Sequence, residues 1–149
     1  MDSSFGIGEV SELTGIGVDA LRFYEREGLL VGPVRRDPGG RRRYSALEVE
    51  WLRMCARLRG TGMPVPDVRR YAELVRAGEG NEAERLGLLA AHQHRVEEQL
   101  AELASARDVI AAKVDLYAAR LAAGTAGESW VAGPSPCVAA VPARVDEVA

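Results

Sequence analysis

The sequence has few of the residues that build disulfide scaffolds or paired-cysteine zinc sites. Cys55 and Cys137 are the two cysteines in 149 residues, and they lie far apart. No apolar run approaches the roughly 20 residues that a membrane span requires. The N-terminus has neither a basic start nor an apolar stretch, so we expect no secretory signal, no membrane partner and a cytoplasmic protein. His92 and His94 are two apart on a predicted helix and point to different faces, so we expect no metal site and no cofactor.

Lysine is absent from the first 75 residues, where 12 arginines stand against 11 acidic residues. The net charge of −3 by itself argues against nucleic acid binding, but the positive charge is concentrated. One nine-residue stretch holds a single acid, Asp37, and five arginines, which are Arg35, Arg36, Arg41, Arg42 and Arg43. This stretch predicts a positive patch suited to phosphate groups.

Hydrophobic periodicity predicts a mainly α-helical head with one small hairpin. Short helices over about 8–13 and 18–27 are separated by a turn at Gly15, and the sequence Asp37-Pro38-Gly39-Gly40 indicates a hairpin tip. A capping box of Ser45 and Glu48 begins a third helix that runs to about Gly60. We expect its apolar face to hold Leu47, Trp51, Met54, Cys55 and Leu58, with Cys55 buried and inert. A fourth helix over about 64–77 completes a winged helix-turn-helix domain over residues 1–78, with four short helices and a β-hairpin wing.

Residues 79–123 are predicted to form one long helix, because glycine and proline do not interrupt the chain between Gly87 and Gly124. Apolar residues recur along it at spacings of three and four, which is the pattern of a coiled-coil seam. The seam residues are Leu89, Val96, Leu100, Leu103, Ile110, Val114, Tyr117 and Leu121. So narrow a stripe cannot bury itself in a monomer, which favours a homodimer. A helix that folds back on its own head is the alternative.

Residues 124–149 change to a composition rich in glycine, alanine, serine, proline and valine. Trp130 and Cys137 lie in this tail. Two interpretations stay open. The tail is a disordered segment, or it contacts a small-molecule effector through Trp130 and Cys137.

The second helix carries the residues that we expect to meet double-stranded DNA. In a helix-turn-helix, polar side chains of that helix face base edges in the major groove, and its flanks meet phosphates. The candidates on this helix are Val18, Asp19, Arg22, Phe23 and Tyr24. Asp19 has two open interpretations, as an acceptor for cytosine or as an anion that stabilises the helix N-terminus.

Five segments together resemble the DNA-binding domain of the MerR family of transcription regulators, over about residues 5–75. They are Ile7-Gly8-Glu9-Val10, Leu13-Thr14-Gly15, Leu21-Arg22-Phe23-Tyr24-Glu25, Gly28-Leu29 and Gly40-Arg41-Arg42-Arg43-Tyr44. The resemblance implies that Arg22, Phe23 and Tyr24 occupy the Arg-Tyr-Tyr positions of the family's recognition helix. It also implies a wing contact with phosphate from Arg42, a second-wing contact from Arg59, and an antiparallel dimerisation helix. Arg41 stands where the family usually carries an aromatic residue, and we expect it to contact DNA as well. Arg43 is a further candidate for DNA contact, with a solvated surface residue as the alternative.

The resemblance further implies a regulator that binds a palindromic promoter operator as a dimer. Such a regulator bends and untwists the DNA for RNA polymerase when a small-molecule effector binds. The segment from Arg57 onward resembles the branch that responds to aldehydes and thiol stress, but Arg57 stands where that branch often carries cysteine. The alternatives are a coiled-coil interaction adaptor and a thiol or metal stress sensor of the same fold. An enzyme is not expected, because no nucleophile-base pair or phosphate-binding glycine loop is present.

Overall fold

The computed structural model describes residues 4–124 of the chain. The helices are α1 (Ile7–Thr14), α2 (Val18–Arg26), α3 (Ala46–Gly60), α4 (Val65–Arg76) and α5 (Glu82–Ala122). The strands are β1 (Ser4–Gly6), β2 (Arg35–Arg36) and β3 (Arg42–Ser45). The mainly helical prediction is confirmed, with four short helices, a hairpin and a long helix in the expected order.

The hairpin belongs to a three-stranded antiparallel sheet with the order β1-β3-β2. The sequence pattern does not predict strand β1, because three residues are too few to show an alternation. Its Phe5 stands opposite Tyr44 of β3, and Tyr44 is fully buried. On the other edge of β3, Arg42 stands opposite Arg36 of β2. The sheet thus places a buried tyrosine and two facing arginines close together in the wing.

Local signals set the ends of several helices. The predicted capping box at α3 is present, since Ser45 Oγ accepts from Glu48 N at 3.3 Å and Ser45 N donates to Glu48 Oε2 at 2.6 Å. After α1, Gly15 adopts a left-handed φ of 73°, as predicted for the turn between the first two helices. Gly28 has the same φ after α2, so the chain reverses there towards the wing.

Helix α3 lies at the centre of the core and buries Val49, Trp51, Leu52 and Cys55. The prediction that Leu47 belongs to its apolar face is wrong, because Leu47 is 75% exposed. The buried stripe instead passes through Val49 and Leu52, since elements pack against α3 from more than one side. Burial of Cys55 is confirmed, and desolvation raises the pKa of its thiol to about 12.

The chain divides into two compact units, with the boundary after Val96. The first unit contains α1–α4, the sheet and the beginning of α5, where Leu88 packs on the core and His92 is buried. The second unit contains the rest of α5, which continues as a helix to Ala122. Across residues 4–124, none of the helices is long and apolar enough to cross a membrane.

Candidate nucleic-acid interface

Helix α2 buries one face and exposes the other. Leu21 and Tyr24 face the core, whereas Asp19 and Arg22 are exposed. Arg22 Nη1 lies 3.3 Å from Asp19 Oδ1, one helical turn away. An exposed pair of this kind contributes little stability, so the arginine can exchange its partner for a base edge or a phosphate at low cost. Val18 is half-buried at the start of the same helix.

The two aromatic residues of α2 take different positions. Phe23 is half-buried, packs on the core and lies under the guanidinium of Arg26, with 5.5 Å from the guanidinium carbon to the ring centroid. Tyr24 is buried, with 8% of its surface exposed, and this burial raises the pKa of its hydroxyl. Tyr24 therefore packs in the core, and its contact with DNA stays a prediction.

The wing presents its arginines at the hairpin. Arg35, Arg36 and Arg41 are exposed, and the turn is closed by Asp37, whose carboxylate accepts from the backbone N–H of Arg41 at 2.9 Å. The hairpin tip therefore carries the concentrated positive charge that the sequence predicted. Cationic side chains held on a small hairpin suit contacts with a phosphate backbone.

Arg42 and Arg43 make specific bonds within the protein. Arg42 donates through Nε to Glu25 of α2, in an ion pair in which both side chains are about a quarter exposed. Arg43 turns towards β1, where its Nη2 donates to Ser4 O at 2.6 Å and to Ser4 Oγ at 2.9 Å. Arg43 thus joins the edge strand to β3, and its DNA contact stays a prediction.

Arg59 lies at the end of α3 and donates through Nη1 to the carbonyl of Met63 in the turn before α4. The Met63 side chain is fully buried. The bond from Arg59 and the burial of Met63 together fix the connection between α3 and α4. Arg57, two residues earlier, is exposed. Arg59 thus holds the turn between α3 and α4, and its predicted second-wing contact with DNA stays a prediction.

The residues that hold the loop after α2 carry no signal in the sequence. Arg69 donates to the Glu27 carbonyl at 2.6 Å and to its carboxylate at 2.8 Å. Trp51 Nε1 donates to the Leu29 carbonyl at 2.8 Å, and Arg76 donates to the carbonyls of Gly28 and Leu30. Four successive carbonyls are therefore bonded to side chains of α3 and α4. This arrangement fixes the end of α2 on the helices behind it.

The beginning of α5 is bonded to the preceding helices. The side chains of Asn81 and Arg85 both donate to the Leu74 carbonyl, at 2.8 Å and 3.0 Å. Arg70 of α4 pairs with Glu84 at 2.6 Å. The first turn of α5 and Asn81, the residue before it, are thus attached to α4 at several points, which holds these two helices together within the first compact unit.

Comparison with known proteins identifies the family. A family model described as MerR HTH family regulatory protein matches residues 5–74, and a second, described as MerR, DNA binding, matches residues 49–113. An HTH-type transcriptional regulator of Haemophilus influenzae is 36% identical over 117 residues, which cover 78% of this chain and 86% of that protein. The chain belongs to the MerR family of transcription regulators.

Other members share less sequence or supply a structure. The crystal structure of HiNmlR, a MerR family regulator lacking the sensor domain and bound to promoter DNA, is 34% identical. It aligns with a TM-score of 0.75 over 83% of this chain and 92% of that one. The mercuric resistance operon regulatory protein of Pseudomonas fluorescens is 32% identical over 105 residues, 70% of each chain. As a MerR regulator, the protein is a DNA-binding transcription regulator and not an enzyme.

The predicted dimer seam of this MerR regulator falls into two groups. Leu89 and Val96 are half-buried in the first unit. The other seam residues are exposed to between 46% and 83%, and they are Leu100, Leu103, Ile110, Val114, Tyr117 and Leu121. A row of large, exposed apolar side chains along one helix is typical of an interaction surface. The effector candidates Trp130 and Cys137 lie outside the described residues.

Proposed function

We propose that this MerR regulator binds a palindromic promoter operator as a homodimer. The observation that carries the proposal is the exposed apolar seam of α5, in the same chain as an arginine-bearing wing and recognition helix. Two copies that pair along the seam present two DNA-binding heads. An operator with two-fold symmetry matches such a protein.

Within each head, α2 enters the major groove and Arg22 meets base edges. Arg41 and Arg42 of the wing meet phosphate, which positions the head without reading sequence. The promoter-bound HiNmlR structure supports this placement, because it is 34% identical and aligns over 83% of this chain. Action on promoter DNA also implies a cytoplasmic location.

The regulation of transcription that we propose depends on two DNA-binding heads joined through one dimer seam. If the dimer fixes the distance between the heads, the DNA between the half-sites must bend and untwist to meet both. Smooth bending of a site costs about 1–6 kcal/mol, which contacts at both half-sites offset. RNA polymerase then meets a promoter whose geometry depends on the dimer. A small-molecule effector that shifts the dimer geometry would control this step.

One experiment tests the DNA surface. The probe is a duplex that the wild-type protein selects from a random-sequence pool, and binding is measured over a range of salt concentrations. Arg41→Ala should weaken binding and reduce the salt slope by about 1. Arg70→Ala, which removes an exposed arginine of α4, is the control and should leave the slope unchanged. Its exposed ion pairs with Glu73 and Glu84 contribute little stability, and the bonds from Asn81 and Arg85 to the Leu74 carbonyl remain. Salt-independent binding would instead favour a protein-interaction adaptor.

A second experiment tests the dimer. Leu103, on the seam, is 67% exposed, and Ser105 lies on the opposite face of α5. Leu103→Asp places charges at the seam and should shift the protein towards monomer in sedimentation equilibrium. Ser105→Asp adds the same charge off the seam and should leave the dimer intact. A wild-type protein that sediments as a monomer at all concentrations would contradict the proposal.

A further inference from the structure

A single carboxylate joins the recognition helix to the wing. Glu25 of α2 accepts from Arg42 Nε through Oε2, and its Oε1 lies 3.4 Å from Arg36 Nη2. Arg36 also donates through Nη1 to the Gly40 carbonyl at 3.1 Å, which closes the hairpin on itself. The carboxylate thus connects α2 to both strands of the hairpin.

The carboxylate of Glu25 lies where it can offset a repulsion between two arginines of the wing. Arg36 and Arg42 are direct cross-strand partners, and like charges placed opposite each other destabilise an antiparallel pair. An anion between them removes the repulsion. The strand β2 has two residues, so few backbone bonds are available to hold the hairpin in one orientation. The ion pairs with Glu25 supply a further attachment.

We propose that Glu25 is a positioning residue for DNA binding, which fixes the wing relative to the recognition helix. The inference rests on the proposed DNA surface, in which α2 and the wing contact the same duplex. Wing and helix then reach the groove and the phosphates in one arrangement, and less conformational entropy is lost on binding. The bond to Glu25 uses Nε of Arg42, and a guanidinium has five N–H donors, so donors remain for a phosphate.

Simple electrostatics predicts the opposite effect for the removal of Glu25. A carboxylate near DNA repels phosphate, so its neutralisation should tighten binding if it acts only as a charge. Loss of the fixed wing orientation should weaken binding. The sign of the change therefore separates a positioning role from a purely electrostatic one.

The test uses the full chain and the duplex selected by the wild-type protein. Glu25→Gln removes the charge, and Glu25→Asp keeps the charge but withdraws the carboxylate from the arginines. We expect each to weaken binding by about fivefold, the size of a lost partly exposed ion pair. Glu12→Gln, which neutralises an exposed acid of α1, is the control and should not weaken binding. Circular dichroism melts establish that each variant is folded.

Arg42→Ala completes a double-mutant cycle with Glu25→Gln. If Glu25 acts through Arg42, Glu25→Gln should cause a smaller loss in the Arg42→Ala background than in the wild type. Tighter binding by Glu25→Gln, together with wild-type binding by Glu25→Asp, would overturn the positioning role. If Glu25→Gln does not fold, Glu25→Asp decides alone. Wild-type affinity of Arg41→Ala and Arg42→Ala would contradict the proposed DNA surface itself, whatever Glu25 does.

Discussion

His92 of α5 and Thr61, in the turn after α3, are joined by a hydrogen bond in which His92 Nε2 lies 2.8 Å from Thr61 Oγ1. Thr61 Oγ1 also lies 2.9 Å from the Leu58 carbonyl, which can only accept. A hydroxyl carries one proton, so the threonine donates to Leu58 and His92 donates through Nε2. This bond connects the long helix to the helix at the centre of the core.

Loss of the Thr61 hydroxyl should destabilise the protein. Thr61→Val keeps the shape of the side chain but leaves a nearly buried imidazole N–H without its acceptor, since His92 is 5% exposed. We expect a loss of about 1–2 kcal/mol in the free energy of unfolding by urea, at fixed protein concentration. Thr61→Ser retains the hydroxyl and should stay within about 0.5 kcal/mol of the wild type. Equal stability of the valine and serine variants would show that the bond contributes nothing.

Two glycine substitutions should have opposite signs. Gly28 has a φ of 73°, which is strained for any residue with a Cβ, although no atom lies within 4 Å of the position that a Cβ would take. Gly28→Ala should therefore cost about 1–2 kcal/mol of stability through backbone strain alone. Gly8 lies within α1 and also faces open space, so Gly8→Ala should stabilise by about 0.5–1 kcal/mol. Thermal unfolding measures both variants. A shift of the melting temperature in the same direction for Gly28→Ala and Gly8→Ala would contradict the prediction.

The buried thiol of Cys55 should make stability fall at alkaline pH. Burial raises its pKa to about 12, above the ordinary value of about 8.5. Above that ordinary value the unfolded chain loses the proton while the folded chain retains it. The stabilisation is therefore complete below about pH 8.5 and is lost progressively as the pH rises towards 12.

The measurement compares wild type with Cys55→Ala by urea unfolding from about pH 7 to about pH 10. Between these values the wild type should lose on the order of 1–2 kcal/mol more than the variant. Tyr44, whose pKa is also raised by burial, is present in both proteins, so its contribution cancels. The pKa of Tyr24 is raised by burial and then by the charge of Cys55, so the part of its titration that depends on Cys55 belongs to the measured difference. If the stability of wild type and of Cys55→Ala changes with pH in parallel, the Cys55 thiol has the same pKa in the folded and the unfolded chain.

The sequence predicts those features that depend on neighbours along the chain. The capping box of Ser45 and Glu48 and the turn at Gly15 are signals within three or four residues, and the structure shows both. The helix that begins near Asn81 is equally readable, since neither glycine nor proline interrupts the chain between Gly87 and Gly124. These local signals are enough to predict the order of the helices and the hairpin.

Features that depend on residues far apart along the chain cannot be predicted from local sequence patterns. Glu25 and Arg42 are 17 positions apart, and Arg69 and Glu27 are 42 apart, so no local pattern announces either pair. The assignment of Leu47 to the core is wrong because helical periodicity shows which residues share a face but not which face is covered. The DNA surface is thus readable as a set of arginines, whereas its internal attachments require the three-dimensional structure.

Hydroxyl-radical footprinting of the purified protein on its selected duplex, with the number of bound chains measured by sedimentation, tests the dimeric DNA-binding mode. We expect two protected half-sites related by a two-fold axis, with two chains per duplex and both half-sites filling together as protein is added. Protection of one half-site by a single chain at saturation would contradict it.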